Sequence, residues 1–230
     1  MELKTFTLRG IKIELPPHLL TPPILEAISA GRYERLEANQ LVRILRDGDR
    51  LLELGGGIGY LSSLASKTVK LESCHVIEGN PELVPIIAKT HALNAVDAVV
   101  ENAIALSRTG RLDLVSAAQD EVAFYLRTNF WGSSLSDSSA YREKVTVPVR
   151  DMQGLLDGIH PSVVIADIEG GEVDIFDRLD LRGVRSVLLE VHKSVIGIEG
   201  IHRIFATLSR EGLLYDPDCS VGAVVHFTRA

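Results

Sequence analysis

The stretch that decides the fold is Glu53-Leu54-Gly55-Gly56-Gly57-Ile58-Gly59, which follows a short apolar run at 51–54 and precedes a helical pattern at 59–67. Glycines at a strand-to-helix turn let the backbone approach a ligand closely and point the N–H groups of the helix N-terminus at it. The stretch therefore predicts a nucleotide-binding loop at the carboxyl end of a β-strand. The alternative is a turn whose glycines only let the strand and the helix pack tightly.

The spacing of the glycines separates two kinds of nucleotide-binding loop. A dinucleotide-binding loop has the pattern GxGxxG, but its final position is Tyr60 when counted from Gly55 and Ser62 when counted from Gly57. The pattern acid-x-Gly-x-Gly-x-Gly is met at Glu53, Gly55, Gly57 and Gly59. That pattern resembles the first motif of class I S-adenosylmethionine-dependent methyltransferases, in which the acid faces the amino-acid end of the cofactor.

A second acid, Glu78, ends the next apolar run in the sequence VIEGNP. A carboxylate at this position can accept hydrogen bonds from both ribose hydroxyls, in methyltransferases and in dehydrogenases alike. Asn102 and Ala103 follow the third predicted strand, where such folds place residues beside the adenine. The predicted cofactor contacts are Glu53, Gly55, Gly57, Ile58, Gly59, Glu78, Gly79, Asn102, Ala103 and Asp167.

Short apolar runs alternate with helical segments from residue 50 onward. The predicted strands lie at 51–54, 73–78, 98–105, 162–168, 186–192 and 223–228. The predicted helices lie at 24–46, 59–67, 81–93, 171–179 and 200–211. Continuous apolar strands of this kind are buried on both faces, so the alternation predicts an α/β fold with a doubly wound, mostly parallel Rossmann-like sheet.

Two segments lie outside this alternation. Residues 4–8 and 11–15 alternate polar and apolar positions around Gly10, which predicts an N-terminal β-hairpin. Residues 112–150 contain two further strand-like runs, which we interpret as an inserted β segment. The chain is predicted to be a single domain, 1–230, made of the hairpin and first helix at 1–48 and the Rossmann-like core at 49–230.

Composition and charge restrict the partners. The 230 residues carry 24 Lys and Arg against 31 Asp and Glu, a net charge of −7, which disfavours nucleic acid and anionic membrane surfaces. No stretch reaches the length and apolarity of a membrane span. The two cysteines, Cys74 and Cys219, show neither disulfide nor zinc spacing, so we expect a cytoplasmic protein. Assembly into a homo-oligomer is left open.

The order of the motifs resembles the FkbM family of methyltransferases over about residues 30–215. The family's marker, D-[VI]-E-G-x-E at a strand end, is present as Asp167-Ile168-Glu169-Gly170-Gly171-Glu172. Four positions depart from the family pattern. Ile165 replaces a usual Lys, Ala166 a usual Ile, and Glu53 and Gln153 each replace a usual Asp. The resemblance implies methyl transfer from S-adenosylmethionine, usually to a hydroxyl oxygen of a small-molecule acceptor or sugar.

Methyl transfer to an alcohol needs alignment of the reacting atoms and a group that takes the hydroxyl proton. We predict Asp167 at the boundary between cofactor and acceptor, His192 as the base, and Glu169 as a further catalytic residue, because all three lie at strand ends. These three side chains could instead hold a metal ion, but no spacing fixes such a site and we predict none. Glu172 is expected to start the following helix, where an acid complements the helix dipole.

Five further residues have two interpretations each. Trp131, Ser133 and Ser134 either line the acceptor pocket or, in the case of the tryptophan, cap the core. Tyr33 and Glu34 either close over the cofactor or belong to a solvated helix start.

Two other functions remain open at this point. An NAD-dependent oxidoreductase shares the strand, the glycine turn and the later acid, although its loop spacing differs. An S-adenosylmethionine-binding protein without catalysis would keep the loop and account for the departures at Gln153 and Ile165. The sequence names neither the acceptor nor the atom that is methylated.

Overall fold

The computed structural model describes residues 3–107, 120–137, 139–176 and 178–229. Its strands are β1 Lys4–Leu8, β2 Ile11–Leu15, β3 Arg50–Leu54, β4 Ser73–Glu78, β5 Val99–Asn102, β6 Ile104–Leu106, β7 Glu121–Leu126, β8 Glu143–Asp151, β9 Val163–Ala166, β10 Ser186–Glu190, β11 Leu214–Tyr215 and β12 Val224–Thr228. Its α-helices are α1 Pro22–Ser29, α2 Arg35–Ile44, α3 Tyr60–Thr68, α4 Val84–Leu93, α5 Met152–Ile159, α6 Glu172–Ile175 and α7 Lys193–Arg210.

Seven strands form the central sheet, in the order β11-β12-β10-β9-β3-β4-β5. The strands from β10 to β5 run parallel, whereas β12 pairs antiparallel with β10 and with β11. Successive residues of β3 point to opposite faces, so that Leu51 belongs to a core shared with α1 to α4 and Leu52 to a core shared with α5 to α7. This arrangement confirms the predicted doubly wound, mostly parallel α/β sheet.

The strand order reverses between β3 and β9. The chain runs outward from β3 to β4 and β5, and later returns to the other side of β3 as β9. Ligands of open α/β sheets bind in the crevice outside the carboxyl ends of the strands at such a switch point. The glycine loop follows β3 and the DIEGGE sequence follows β9, so both motifs border this crevice.

The predicted N-terminal hairpin is confirmed. β1 and β2 pair antiparallel through a turn at Gly10, whose φ of +82° suits glycine. Ile11, Ile13 and Leu15 are fully buried in the core that also contains Leu51 of β3. Because the hairpin and the sheet share one core, the packing supports the prediction of a single domain.

The prediction of a single helix over 24–46 is wrong. This segment forms two helices, α1 and α2, separated by a turn. Gly31 and Glu34, within that turn, both have positive φ values. Positive φ is incompatible with a right-handed helix, so the chain changes direction there.

The strand predicted over 98–105 is also divided. β5 ends at Asn102, and β6 leaves the central sheet to pair with β8. β7 pairs antiparallel with β8, so that β6, β8 and β7 form a second sheet. The β segment predicted at 112–150 is therefore present in β7 and β8, while residues 108–119 lie outside the described part of the chain.

The helices of the second half differ from the predicted ones in extent. The prediction missed α5 entirely, and α6 spans only four of the residues predicted at 171–179. α7 begins at Lys193 rather than at 200, and it is broken at Gly197, whose φ is +65°. Across the described ranges, no helix is both long and apolar enough to cross a bilayer.

Candidate functional site

The glycine loop joins β3 to α3 at the carboxyl edge of the central sheet. Gly55, Gly57 and Gly59 have φ values of +84°, +52° and +76°. A Cβ on Gly55 would lie 1.9 Å from the backbone oxygen of Asp167, and one on Gly57 would lie 2.8 Å from the hydroxyl oxygen of Tyr33. Glycine is required here because other elements approach the loop backbone so closely.

Glu78 ties the end of β4 to this loop. Its Oε2 accepts a hydrogen bond from the Gly57 N–H (2.9 Å), and its Oε1 accepts one from the Asn80 N–H (2.6 Å). Asn102 supports the same turn, since its Nδ2 donates to the backbone oxygens of Glu78 (2.7 Å) and Gly79 (3.1 Å). Burial raises the pKa of Glu78 to about 7, although the backbone hydrogen bonds oppose that rise.

A cavity opens at the switch point beside the loop. Of the predicted cofactor residues, those that line it are Gly55, Gly57, Glu78, Gly79, Ala103 and Asp167. Much of the remaining wall is apolar and comes from Leu54, Ile77, Leu83, Ile104, Leu106, Phe124 and Phe130. A largely apolar cavity with a few convergent polar groups is the usual form of a small-molecule site.

The other predicted cofactor residues support the loop and turn without lining the cavity. Ile58 is buried in the core, Gly59 is the N-cap of α3, and Asn102 holds the β4 turn. Glu53 is only 1% exposed, and its carboxylate accepts hydrogen bonds from the hydroxyl and the backbone N–H of Ser62 on α3. Burial raises the pKa of Glu53 to about 8. The expected position of Glu53 in the cavity is therefore corrected, because its side chain turns toward α3.

Four carboxylates surround the imidazole of His192 where β9 and β10 end. Its Nε2 lies 3.8 Å from Asp167 Oδ1, 3.6 Å from Glu169 Oε2 and 3.7 Å from Glu190 Oε2. Its Nδ1–H donates a hydrogen bond to Oε1 of Glu172, whose side chain is fully buried. The structure thus brings the three predicted catalytic side chains together, and two of them, Asp167 and Glu169, line the cavity.

This arrangement raises the pKa of His192 to about 9. Burial by itself would lower that pKa, but the hydrogen bond with Glu172 and the charges of Glu169 and Asp167 outweigh burial. Burial and the charge of Glu190 raise the pKa of Asp167 well above its usual range. The sequence suggested a neutral histidine at physiological pH, whereas the structure places an imidazolium among carboxylates.

Glu172 does more than the prediction assigned to it. It begins α6 as expected, but its carboxylate accepts hydrogen bonds from His192 and from the Gly170 N–H (3.2 Å). A carboxylate on Nδ1 orients the ring and leaves Nε2 directed at the other acids. Sequence reasoning missed this contact because it forms only when β9 and β10 lie side by side.

The same cluster also bears on metal binding. Asp167, Glu190 and His192 each offer one ligand atom, and these atoms lie within 4.8 Å of one another. Such mixed oxygen and nitrogen donors suit divalent cations. That no metal is resident stays a prediction.

Tyr33 and Glu34 form a further wall of the cavity, from the turn between α1 and α2. Tyr33 is buried, and its ring stacks on Trp131 with centroids 6.5 Å apart and an interplanar angle of 22°. Its hydroxyl donates a hydrogen bond to the Glu34 carboxylate. Trp131 and Ser133 line the cavity as well, so of the two interpretations the geometry favours the cavity for all four residues.

Arg127, at the end of β7, is a site residue that the sequence analysis missed. Its backbone N–H donates to Ser133 Oγ (3.0 Å), and its Nη1 donates to Ser134 Oγ (2.8 Å). Its Nη2 donates to the Ser136 backbone oxygen (2.8 Å). Burial raises the pKa of Glu169, and the charge of Arg127 opposes that rise. Arg127 therefore orders the rim of the cavity and places a positive charge near its acids.

The stretch of sequence that identifies the family runs from the end of β3 to the residue before β11. A family model for the methyltransferase FkbM domain matches residues 53–213. The chain belongs to the FkbM methyltransferase family. This FkbM methyltransferase is therefore dependent on S-adenosylmethionine. No curated protein matches the sequence.

This FkbM methyltransferase also resembles solved structures. It matches Trm5b from Pyrococcus abyssi with a TM-score of 0.52 and 11% identity, over 98% of this chain and 55% of that one. It matches the P. abyssi tRNA (uracil-54, C5)-methyltransferase, in complex with S-adenosyl-L-homocysteine, with a TM-score of 0.51 and 12% identity, over 99% and 44% of the two chains. At these identities the likeness concerns the fold, which is Rossmann-like as predicted.

The departures from the FkbM pattern at Ile165 and Gln153 lie away from the cavity. Ile165 is buried in β9, and its side chain belongs to the core. Gln153 lies on α5, where its Nε2 donates to Asp157 Oδ1 (2.8 Å) and its Oε1 accepts from the Asp180 N–H (2.8 Å). Neither replacement therefore removes a side chain from the lining of the cavity.

Proposed function

We propose that this FkbM methyltransferase transfers a methyl group from S-adenosylmethionine to a hydroxyl oxygen of a small molecule or sugar. The observation that carries the proposal is the position of Asp167. Its backbone oxygen abuts Gly55 of the glycine loop, and its carboxylate lies 3.8 Å from the imidazole of His192. A residue that contacts the glycine loop and belongs to the acid–base cluster is well placed at the point where methyl group and hydroxyl meet.

The lining of the cavity fits the cofactor. Gly55 and Gly57 leave room for close backbone approach, and Glu78 can accept hydrogen bonds from ribose hydroxyls. Gly79 and Ala103 flank the apolar wall that an adenine ring requires. When bound, S-adenosylmethionine supplies the methyl group on a positively charged sulfonium. In this proposal Glu53, Ile58, Gly59 and Asn102 hold the loop and turn in shape.

His192 is the proposed base. An alcohol must lose its proton at or near methyl transfer, and direct displacement needs no covalent intermediate on the protein. Neutral Nε2, oriented by Glu172, accepts the proton, and the carboxylates of Asp167 and Glu169 stabilise the imidazolium that results. Because the pKa of His192 is about 9, we expect turnover to rise with pH toward that value.

The partner in this proposal is a small-molecule acceptor and not nucleic acid. One matched structure is a tRNA (uracil-54, C5)-methyltransferase, but this chain carries a net charge of −7, which repels a phosphate backbone. Cys74 and Cys219 are both unpaired, which supports the proposal of a reducing, cytoplasmic location. Membrane association is not part of the proposal, and a homo-oligomer stays open.

Calorimetric titration with S-adenosylhomocysteine, with NAD in parallel, tests the cofactor assignment. We expect saturable binding of S-adenosylhomocysteine alone, lost in Glu78→Ala and kept in the control Glu101→Ala, which removes a partly exposed acid paired with Arg150. Binding of NAD alone would favour the oxidoreductase instead and contradict the spacing argument.

A second experiment tests the chemistry. Purified protein is given S-adenosylmethionine with a radiolabelled methyl group and a small-molecule cell extract, and label in the extract is measured. We expect transfer by the wild type and none by His192→Ala. Undiminished transfer by the variant would show that His192 is not the base. Cofactor binding without transfer to any acceptor would favour the non-catalytic alternative.

A further inference from the structure

We propose that Glu34 binds the α-ammonium group at the amino-acid end of the cofactor, and that Tyr33 positions it. This inference rests on the proposed use of the cavity for S-adenosylmethionine. Glu34 lies before residue 53, outside the range matched by the family model. The inference therefore gives the N-terminal part of this chain a direct role in cofactor recognition.

The backbone of Glu34 is held in an unusual conformation. Its φ and ψ are 44° and 34°, the left-handed region that non-glycine residues rarely adopt. It is the N-cap residue of α2, yet its side chain makes no capping hydrogen bond. The residues that ordinarily cap a helix with their side chains are Ser, Thr, Asp and Asn. Here the carboxylate instead points to the cavity, where it accepts a hydrogen bond from the Tyr33 hydroxyl.

Glu34 reaches the glycine loop at Gly57. A Cβ on Gly57 would lie 3.1 Å from Glu34 Oε1 and 2.8 Å from the Tyr33 hydroxyl oxygen. The carboxylate thus lies beside the backbone that the cofactor must approach. Tyr33 is buried and stacks on Trp131. These contacts hold Tyr33 in place and so fix the position of Glu34, the next residue.

The neighbouring acids favour binding of a cation at Glu34. Burial raises its pKa well above the usual range, and the charges of Asp167, Glu53 and Glu37 add to the rise. Among the described residues, no Lys or Arg forms an ion pair with Glu34. An acid buried beside other acids is costly unless a positive group joins it. An ammonium group delivered by the ligand meets this requirement.

Glu53, the acid that the motif would suggest, is less well placed. Its carboxylate is turned toward Ser62 of α3 and is almost fully buried, and it does not line the cavity. Asp167 lines the cavity, but its Oδ1 faces His192. Glu78 also lines the cavity beside the loop, but the proposed function assigns it to the ribose hydroxyls. Of the other lining acids, Glu34 is the one whose carboxylate is next to the loop and outside the His192 cluster.

Calorimetry with two ligands tests the inference. S-adenosylhomocysteine carries the ammonium group, whereas 5′-methylthioadenosine has the same nucleoside and thioether but no amino-acid end. We expect Glu34→Gln to weaken S-adenosylhomocysteine binding by about tenfold or more, since a charged hydrogen bond is lost, and to leave 5′-methylthioadenosine within about twofold. The control Glu26→Gln, an exposed acid of α1 paired with Arg32, should change neither.

Each other outcome overturns the inference in a recognisable way. Equal loss of both ligands in Glu34→Gln would mean that Glu34 only maintains the cavity, and no loss would mean that it does not touch the ligand. If Glu53→Gln, and not Glu34→Gln, selectively loses S-adenosylhomocysteine binding, Glu53 is the residue that binds the ammonium group. If the wild type binds neither ligand, the proposed function itself fails. Retained 5′-methylthioadenosine binding also shows that the variant is folded.

Discussion

The backbone oxygen of Asp167 occupies the position in which a side chain on Gly55 would begin, 1.9 Å from where a Cβ would lie. The contact arises because β3 and β9 are parallel neighbours whose final residues, Leu54 and Ala166, pair in register. The segments that follow these strands, the glycine loop and the DIEGGE sequence, are thereby pressed together. The proposed cofactor loop and the proposed acid–base cluster therefore share one backbone contact.

Gly55→Ala should disrupt this contact. The new methyl group would overlap Asp167, and a φ of +84° is itself unfavourable for alanine. We expect a loss of more than about 2 kcal/mol in the free energy of unfolding, measured by urea denaturation, together with loss of S-adenosylhomocysteine binding. Gly183→Ala is the matched control, because nothing lies within 4 Å of its Cβ position. Equal stability of the two variants would contradict this reading of the loop.

Glu172→Gln should lower the pKa of His192. The hydrogen bond with Glu172 is the strongest of the effects that raise this pKa to about 9, and glutamine keeps the shape while removing the charge. NMR titration of the imidazole should show the decrease, and the pH profile of methyl transfer should move to lower pH. Glu199→Gln, on the exposed side of α7, is the control. An unchanged His192 titration would show that another group sets its pKa.

Glu53→Gln should change how stability depends on pH. Burial raises the pKa of Glu53 from 4.5 to about 8, so the folded protein holds a proton that the unfolded chain loses between these values. Wild-type stability should therefore fall as pH rises through this window, because the unfolded state binds fewer protons. The variant lacks this group, and its advantage in Tm should grow from pH 5 to pH 8. A difference that stays constant over that range would contradict the raised pKa.

Gln153→Asp restores the usual family residue and should not alter cofactor binding. Gln153 is remote from the cavity and donates to Asp157 Oδ1 at 2.8 Å, whereas aspartate would place two negative charges together. We expect a small loss of stability, about 0.5 kcal/mol, with unchanged S-adenosylhomocysteine affinity. A marked change in affinity or turnover would show that this position acts on the site after all.

Much of the architecture could be predicted from local patterns. The apolar runs that became β3, β4, β9 and β10 are each buried on both faces, and such runs are recognisable without knowledge of their neighbours. The spacing of Gly55, Gly57 and Gly59 and the following Glu78 depends on one strand-turn-helix-strand unit. For this reason the sequence alone determined the fold class and the family resemblance, whereas the cofactor role of the loop stays a prediction.

Errors arose where local pattern and tertiary contacts disagree. The run at 98–105 is mostly apolar, but its second half leaves the central sheet to pair with β8, a partner more than 35 residues away along the chain. The helix predicted at 24–46 is interrupted at Gly31 and Glu34, where the turn lets Tyr33 and Glu34 reach the cavity. In both cases a long-range contact outweighs the local preference.

The sequence by itself determined which residues stand at the ends of the strands, because strand ends are marked by the change from apolar to polar residues. Only the tertiary structure decided which of these acids meet. Glu172 orients His192, Glu53 turns away to Ser62, and Glu34 arrives from another part of the chain. Strand order and register set those distances, and charge interactions between side chains decay over a few ångströms. The pKa values and the composition of the site therefore depend on the packed structure.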